Sequence, residues 1–155
     1  MSEFGGCPGS RMMQFQREDH AGDEGGKRRS ELSQWPVQLH LVSPQAPYFQ
    51  QADVVLAADC VAYALADFHK DYLKGNALAI ACPKLDDGQE SYLEKITSLI
   101  DDAGINSLTV MIMQVPCCRG LLALAQQAAR QAKREVPLKY IVVGLHGEIL
   151  SEEWV

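Results

Sequence analysis

Four short apolar runs alternate with helical segments between residues 53 and 145. The runs are DVVLAADC (53–60), ALAIAC (77–82), SLTVMIMQV (107–115) and LKYIVVGL (138–145). Each has the length of one strand and is apolar on both of its faces, as expected for a strand that is covered on both sides. Strands joined by helices of ten or more residues run parallel and are connected by right-handed crossovers.

This alternation predicts a three-layer α/β domain, Rossmann-like or flavodoxin-like, with about five mostly parallel strands. The additional strand is expected at VQLHLV (37–42), where apolar and polar residues alternate. The tail GEILSEEWV (147–155) can add an edge turn or an edge strand. Helices are expected at 61–74, 90–103 and 120–133.

The first 34 residues are of a different kind. They hold half of the chain's twelve glycines and the mixed-charge stretch REDHAGDEGGKRR, with few apolar groups to offset the entropy of ordering. We therefore expect a flexible N-terminal arm over 1–34, which carries Cys7, followed by the α/β domain over 35–155.

The composition argues against nucleic acids and membranes as partners. A net charge of −6 argues against a dedicated nucleic-acid binder, which would present a basic face. No apolar run reaches the ~20 residues that span a bilayer, and the first residues do not have the pattern of a secretory signal. We expect a cytoplasmic protein without nucleic-acid or membrane partners, and a homo-oligomer is left open.

Four of the five cysteines fall at the carboxyl ends of predicted strands: Cys60, Cys82, Cys117 and Cys118. Because the carboxyl ends of parallel strands meet at one edge of a sheet, where ligands bind, these thiols are expected to converge. A helix N-terminus following Cys117 and Cys118 would favour their thiolates. Four thiolates are the ligand set of an iron–sulfur cluster or of structural zinc.

Other interpretations stay open. A free cysteine is often a small buried apolar residue, and any one of these could be plain core. Cys117 or Cys118 could instead be the nucleophile of a thiol-based, sulfur-handling enzyme. A zinc-bound or metal-free interaction domain of a redox complex is a further alternative.

Two charged residues are expected beside the thiols. Asp59 directly precedes Cys60, and Lys84 follows Cys82, where it could pair with a thiolate or an anionic ligand. The competing interpretation of PKLDDG (83–88) is a solvated loop in which an aspartate caps the next helix. No glycine-rich nucleotide motif and no G-x-S-x-G elbow is present.

The segments WPVQLHLV, ADVVLAADC, ACPKLDD with YLEKI, and MQVPCCRGL resemble a family of iron–sulfur proteins of anaerobic microbes. In that family a ferredoxin-like module with two clusters precedes an α/β domain; that module is not found in this sequence. The resemblance covers about Cys7 to Ile149, and GCPGS (6–10) matches a segment before the α/β domain. It implies that Cys7, Cys60, Cys82, Cys117 and Cys118 are the marked positions.

Taken together, these patterns predict a metal-binding redox domain with an iron–sulfur cluster, of the 4Fe–4S type, at the carboxyl edge of the sheet. Cys60, Cys82, Cys117 and Cys118 would be ligands, with Cys7 as an additional or alternative one. The expected partner is a ferredoxin-type protein or domain. The sequence does not determine which residues are catalytic and leaves open whether the protein is an enzyme.

Overall fold

The computed structural model describes residues 11–15 and 26–155, and its centre is a five-stranded sheet. The strands of the sheet, in chain order, are β3 (Asp53–Ala58), β4 (Ala77–Ala81), β5 (Ser107–Met113), β6 (Leu138–Val143) and β7 (Ile149–Trp154). Their order in space is β4-β3-β5-β6-β7, and all pairs are parallel except β6 with β7. The predicted α/β fold with about five mostly parallel strands is confirmed.

A two-stranded antiparallel ribbon precedes this sheet along the chain. It consists of β1 (Met13–Gln14) and β2 (Gln34–Trp35). The side chain of Gln34 is 1% exposed, and it makes the hydrogen bonds to β4 that the backbone of a neighbouring strand would make. Its amide accepts a hydrogen bond from the backbone N–H of Leu78 and donates one to the carbonyl of the same residue, at 2.7 and 2.9 Å. Gln34 thereby covers part of the outer edge of β4, which would otherwise leave backbone groups unpaired.

Residues 26–34, which belong to the predicted N-terminal arm, contact the α/β domain. The guanidinium of Arg28 lies 3.3 Å from the carboxylate of Asp67, and the backbone N–H of Glu31 donates to His69 Nδ1. Cys7 lies outside the described residues. The division of the chain at residue 34 stays a prediction.

The expected strand at 37–42 is not formed. Only Gln38 bridges to Ile80 of β4, in parallel, and the chain then turns, with the N–H groups of Leu41 and Val42 donating to the Gln38 carbonyl. Lys95, from the helix Gln89–Asp101, stabilises this turn. The Lys95 ammonium donates to the carbonyls of Leu39, His40 and Val42 at 3.1, 2.6 and 2.9 Å.

The helices lie on opposite faces of the sheet. They are α1 (Val61–Ala64), α2 (Gln89–Asp101) and α3 (Arg119–Gln131). The connection from β3 to β4 moves in one direction along the sheet, and those from β4 to β5 and from β5 to β6 move in the other. With right-handed crossovers, α2 and α3 therefore share one face, where they pack on each other.

The helix expected at 61–74 is interrupted. Val61–Ala64 is helical, Leu65 is extended with φ −97° and ψ 108°, and a π-helical turn follows at His69–Leu73. Val61, Leu65, Phe68 and Leu73 are all buried against the sheet. This burial, rather than helix propensity, sets the path of the segment.

Replacing Lys95 with Met should destabilise the protein. The substitution leaves three carbonyls of the 39–42 turn without their ammonium donor, which we expect to cost about 1–3 kcal/mol of unfolding free energy, measured by urea denaturation. Lys133→Met is the matched control, because the Lys133 side chain has no hydrogen bond or ion pair with the described residues. Equal stability of the two variants would contradict the role of Lys95.

Candidate functional site

The cysteine-bearing strand ends are neighbours in the sheet. Cys82 directly follows β4, Cys60 follows β3 by one residue, and Cys117 and Cys118 follow β5 in a 3₁₀ turn that leads into α3. The spatial order β4-β3-β5 places the Cys60 end between the other two. Adjacent strands lie about 4.8 Å apart. We call this part of the molecule, made of Cys60, Cys82, Cys117 and Cys118, the thiol edge.

The thiol edge includes the point where the winding of the sheet reverses. The chain leaves β3 toward β4 and leaves β5 in the opposite direction, toward β6. In open α/β sheets, the crevice between two such strand ends is the usual ligand site. Cys60 borders this crevice on one side, and Cys117 and Cys118 border it on the other.

Close packing joins the loops around the thiols. A Cβ added to Gly120, in the first turn of α3, would lie 3.2 Å from Pro83 Cβ, so the helix start abuts the loop that begins with Cys82. The loop after β5 is tied to the loop after β6, because the Leu145 N–H donates to Gln114 Oε1 at 2.6 Å. Gly147, with φ +87°, brings this second loop against the Ala64 carbonyl of α1, where an added Cβ would lie 2.6 Å from the oxygen.

The four thiols differ in exposure. Cys60 and Cys117 are exposed, Cys82 is half-buried and Cys118 is buried. Burial raises the pKa of Cys118; a backbone hydrogen bond at Met113 lowers it, and the nearby thiols of Cys117 and Cys60 raise it further. The expectation that a helix N-terminus favours the Cys118 thiolate stays a prediction, and burial of the thiol opposes that effect. Cys118 forms a side-chain hydrogen bond with Cys117, and Cys60 is near enough to act on it electrostatically.

Asp86 organises the loop after β4. Its carboxylate accepts hydrogen bonds from the Cys82 backbone N–H and from Gln38 Nε2, both at 2.9 Å, and from the Tyr92 hydroxyl. Burial raises the pKa of Asp86, but the hydrogen bonds from Cys82, Tyr92 and Gln38 outweigh it and hold the pKa below its ordinary value. Burial and the bond to Asp86 raise the pKa of Tyr92.

The competing interpretation of the 83–88 loop, in which an aspartate caps the next helix, is wrong. The residue before α2 is Gly88, and no side chain caps the helix. Asp86 instead folds back to the strand end and fixes Cys82. Sequence patterns could not reveal this role, because Gln38 is 48 residues away and Tyr92 is identifiable only as a buried helix residue.

The two charged residues expected near the thiols occupy the same edge. Lys84 is exposed in the loop that follows Cys82. Asp59 precedes Cys60, and its backbone N–H continues the ladder to the Ala81 carbonyl at 3.1 Å. Burial raises the pKa of Asp59, and the charge of Asp86 raises it further.

The strand order places the cysteine-bearing loops next to one another, but their side chains do not converge on a single position. Within 11–15 and 26–155, no three side chains of His, Cys, Asp or Glu are grouped in a way that would hold a metal ion. The structure thus presents thiols on adjacent, well-supported strand ends, two of which are open to solvent.

An open, mostly parallel sheet with helices on both faces and a ligand crevice at its carboxyl edge defines a doubly wound α/β protein. Sequence comparison agrees with this architecture. The chain belongs to the Rossmann-like domain family, whose model matches residues 46–155.

An uncharacterized protein from Archaeoglobus fulgidus is similar to this chain. It is 30% identical over 119 residues, which cover 77% of this chain and 83% of the relative. No solved structure matches the sequence. Within the described residues, no helix has both the length and the apolar character needed to cross a membrane.

Alkylation should follow the exposure of the thiols. We expect iodoacetamide to modify Cys60 and Cys117 roughly tenfold or more faster than Cys118, because the reacting thiolate of Cys118 is both buried and disfavoured. Peptide mass spectrometry at pH 7.5 measures the three rates, and the same reaction in urea is the control in which they converge. A Cys118 rate equal to that of Cys60 in native protein would contradict this geometry.

Asp86→Asn should loosen the Cys82 loop. All three hydrogen bonds go to the one oxygen Oδ2, and a neutral amide oxygen in its place would accept them more weakly than a carboxylate does. We therefore expect a loss of about 1–3 kcal/mol in unfolding free energy at pH 7. The pKa of Asp86 is lower in the folded protein than in the unfolded chain, where it is about 4. The extra unfolding free energy of the wild type over Asp86→Asn is therefore fully present above about pH 4, and it is lost as the pH falls through the lower, folded pKa.

Urea denaturation at pH 7 and pH 3 measures this difference. Asp87→Asn is the matched control, since Asp87 is exposed and contributes only its carbonyl, to His40. A wild-type advantage that stays constant down to pH 3 would show that the Asp86 carboxylate is not the source of the effect.

Proposed function

We propose that this protein is a metal-binding redox domain that holds an iron–sulfur cluster, of the 4Fe–4S type, at the thiol edge. The observation that carries the proposal is the strand order β4-β3-β5, which makes neighbours of the three cysteine-bearing strand ends. Because neighbouring strands are only about 4.8 Å apart, a cluster bound at this edge would take a thiol from each of the three strand ends.

The donor set suits this kind of ligand. Iron–sulfur clusters are held by cysteine thiolates, and zinc accepts the same four-thiolate set. Cys60 and Cys117 are exposed, so an incoming metal can reach them, whereas Cys118 is buried and its raised pKa keeps it protonated. Metal binding would release that proton and draw the side chains together, as is usual where ligands are protonated in the free protein.

The surrounding residues have separate tasks in this proposal. Asp86 fixes the backbone at Cys82, and the contact of Pro83 with Gly120 holds that loop against the start of α3. Lys84 would offset part of the negative charge of the thiolates. When bound, the cluster would supply one-electron transfer. Asp59 would lie beside it, next to Cys60.

The family resemblance adds a partner and a fifth cysteine. It implies exchange of electrons with a ferredoxin-type protein or domain, and it marks Cys7 as an additional or alternative ligand. Cys7 lies outside the described residues, so its part in the proposal depends on the resemblance alone. No substrate or reaction is assigned.

A second candidate is thiol chemistry without a metal. The observation that favours it is the proximity of the Cys118 thiol to the thiols of Cys117 and Cys60. Cys117 is the better nucleophile of the tandem pair, because it is exposed while the pKa of Cys118 is raised. A zinc-bound or metal-free interaction domain would use the same edge.

Anaerobic reconstitution with iron and sulfide tests the proposal. We expect a brown protein with broad absorption near 400 nm that bleaches with dithionite, and about four iron atoms per chain, as four thiolates bind a 4Fe–4S cluster. Cys60→Ser, Cys82→Ser and Cys117→Ser should each reduce the iron content by more than half. A colourless, iron-free wild-type protein would refute the proposal.

Two further measurements separate the alternatives. Arg130→Gln, at the far end of α3, is the matched surface control and should bind iron as the wild type does. Zinc found by elemental analysis of the purified protein, with no iron uptake, would select the zinc-bound domain. A metal-free protein in which one thiol reacts far faster than the others would select the thiol enzyme.

A further inference from the structure

An apolar cavity of about 400 Å³ opens beside Asp59, on the face of the sheet opposite to α2 and α3. Its floor is formed by β3 and β4, through Ala57, Ala58, Leu78 and Ile80. Its walls come from the 61–73 segment and from residues 32–37. Cavities of this size are typical of small-molecule sites and far exceed the space of one water molecule.

Small residues create the space. Ala57 and Ala58 on β3 and Ala62 on α1 line the cavity, where larger side chains would fill it. Protein interiors are otherwise packed to the density of organic crystals. Ala57 and Ala58 are only 2% and 3% exposed, so the floor lies largely beneath other side chains, and the open part of the lining is formed by the exposed residues Asp59, Ala62, Tyr63 and His69.

Three lining residues carry polar groups: Asp59, His69 and Tyr63, whose side chain is 93% exposed. No described residue donates a hydrogen bond to the carboxylate of Asp59, which is therefore available as an acceptor. His69 is oriented by the Glu31 N–H, which donates to its Nδ1 at 3.0 Å. A neutral His69 consequently carries its proton on Nε2.

We propose that this cavity binds a small, mostly apolar molecule of about one aromatic ring, whose polar group donates a hydrogen bond to Asp59. The apolar walls would cover the ring, and the carboxylate would select a donor, preferably a cationic one, over an acid. Because Asp59 is adjacent to Cys60, the bound molecule would lie next to the thiol edge. The inference does not depend on metal binding, since no cysteine lines the cavity.

Three probes with the same ring and different polar groups test the inference: benzylamine, benzyl alcohol and benzoate. In ¹H–¹⁵N NMR titrations of the metal-free protein, we expect shifts at the amides of Ala57, Ala62 and Leu78. Benzylamine should bind tightest and benzoate weakest, because benzoate has no donor and is repelled by Asp59. Asp59→Asn should weaken benzylamine roughly tenfold and leave benzyl alcohol less affected.

A size variant tests the location. Ala62 is exposed and lines the cavity, so Ala62→Leu should fill its mouth without disturbing the core and should weaken benzylamine by roughly tenfold or more. Ala66→Leu is the matched control, because Ala66 is exposed on the same segment but does not line the cavity. Well-dispersed spectra would confirm that both variants are folded.

Unchanged benzylamine affinity in Ala62→Leu, equal affinity for benzylamine and benzoate, or shifts confined to another part of the molecule would each overturn the inference. Loss of iron binding in Cys60→Ser would leave it untouched, since the titration uses metal-free protein.

Discussion

The position of β3 between β4 and β5 is the constraint on which the rest of this structure depends. β3 pairs in parallel with both neighbours along nearly its whole length, from Val54 opposite Ala77 to Ala58 opposite Ala81 on one side. Val54–Ala58 is also buried on both faces. A strand with two ladders and two covered faces cannot be displaced without losing all of these contacts, so the order of the cysteine-bearing ends is fixed.

The thiol edge then depends on short-range contacts between loops. Asp86 holds the Cys82 backbone, and Pro83 meets Gly120 at the start of α3. The first contact lies within the loop after β4, and the second joins that loop to the start of α3, which follows β5 on the other side of β3. Function is commonly found on loops that a rigid scaffold positions in this way. The adjacent cavity extends the same edge, because Asp59 belongs to the cavity lining and directly precedes Cys60.

Much of the fold could be predicted from the sequence, because short apolar runs that alternate with helices are typical of the buried strands of a parallel sheet. The four predicted core strands end within two residues of those observed. Strand order could not be predicted, since it depends on long-range pairing. Burial in 37–42 does not follow the alternation, since Leu39 and Val42 are buried while Leu41 is 49% exposed, and carbonyls from this segment bind Lys95 instead of joining a sheet. For the candidate site, the position of the cysteines at strand ends predicted that they share one edge of the sheet, but the role of Asp86 and the burial of Cys118 depend on tertiary contacts.

Anomalous diffraction at the iron edge, from crystals of the anaerobically reconstituted protein, tests the central claim most directly. The account predicts one strong peak beyond the carboxyl ends of β4, β3 and β5, within bonding distance of sulfur atoms from Cys60, Cys82 and Cys117 or Cys118. Iron–sulfur ligation at another place in the chain, or crystals of the folded protein with no iron peak, would contradict it.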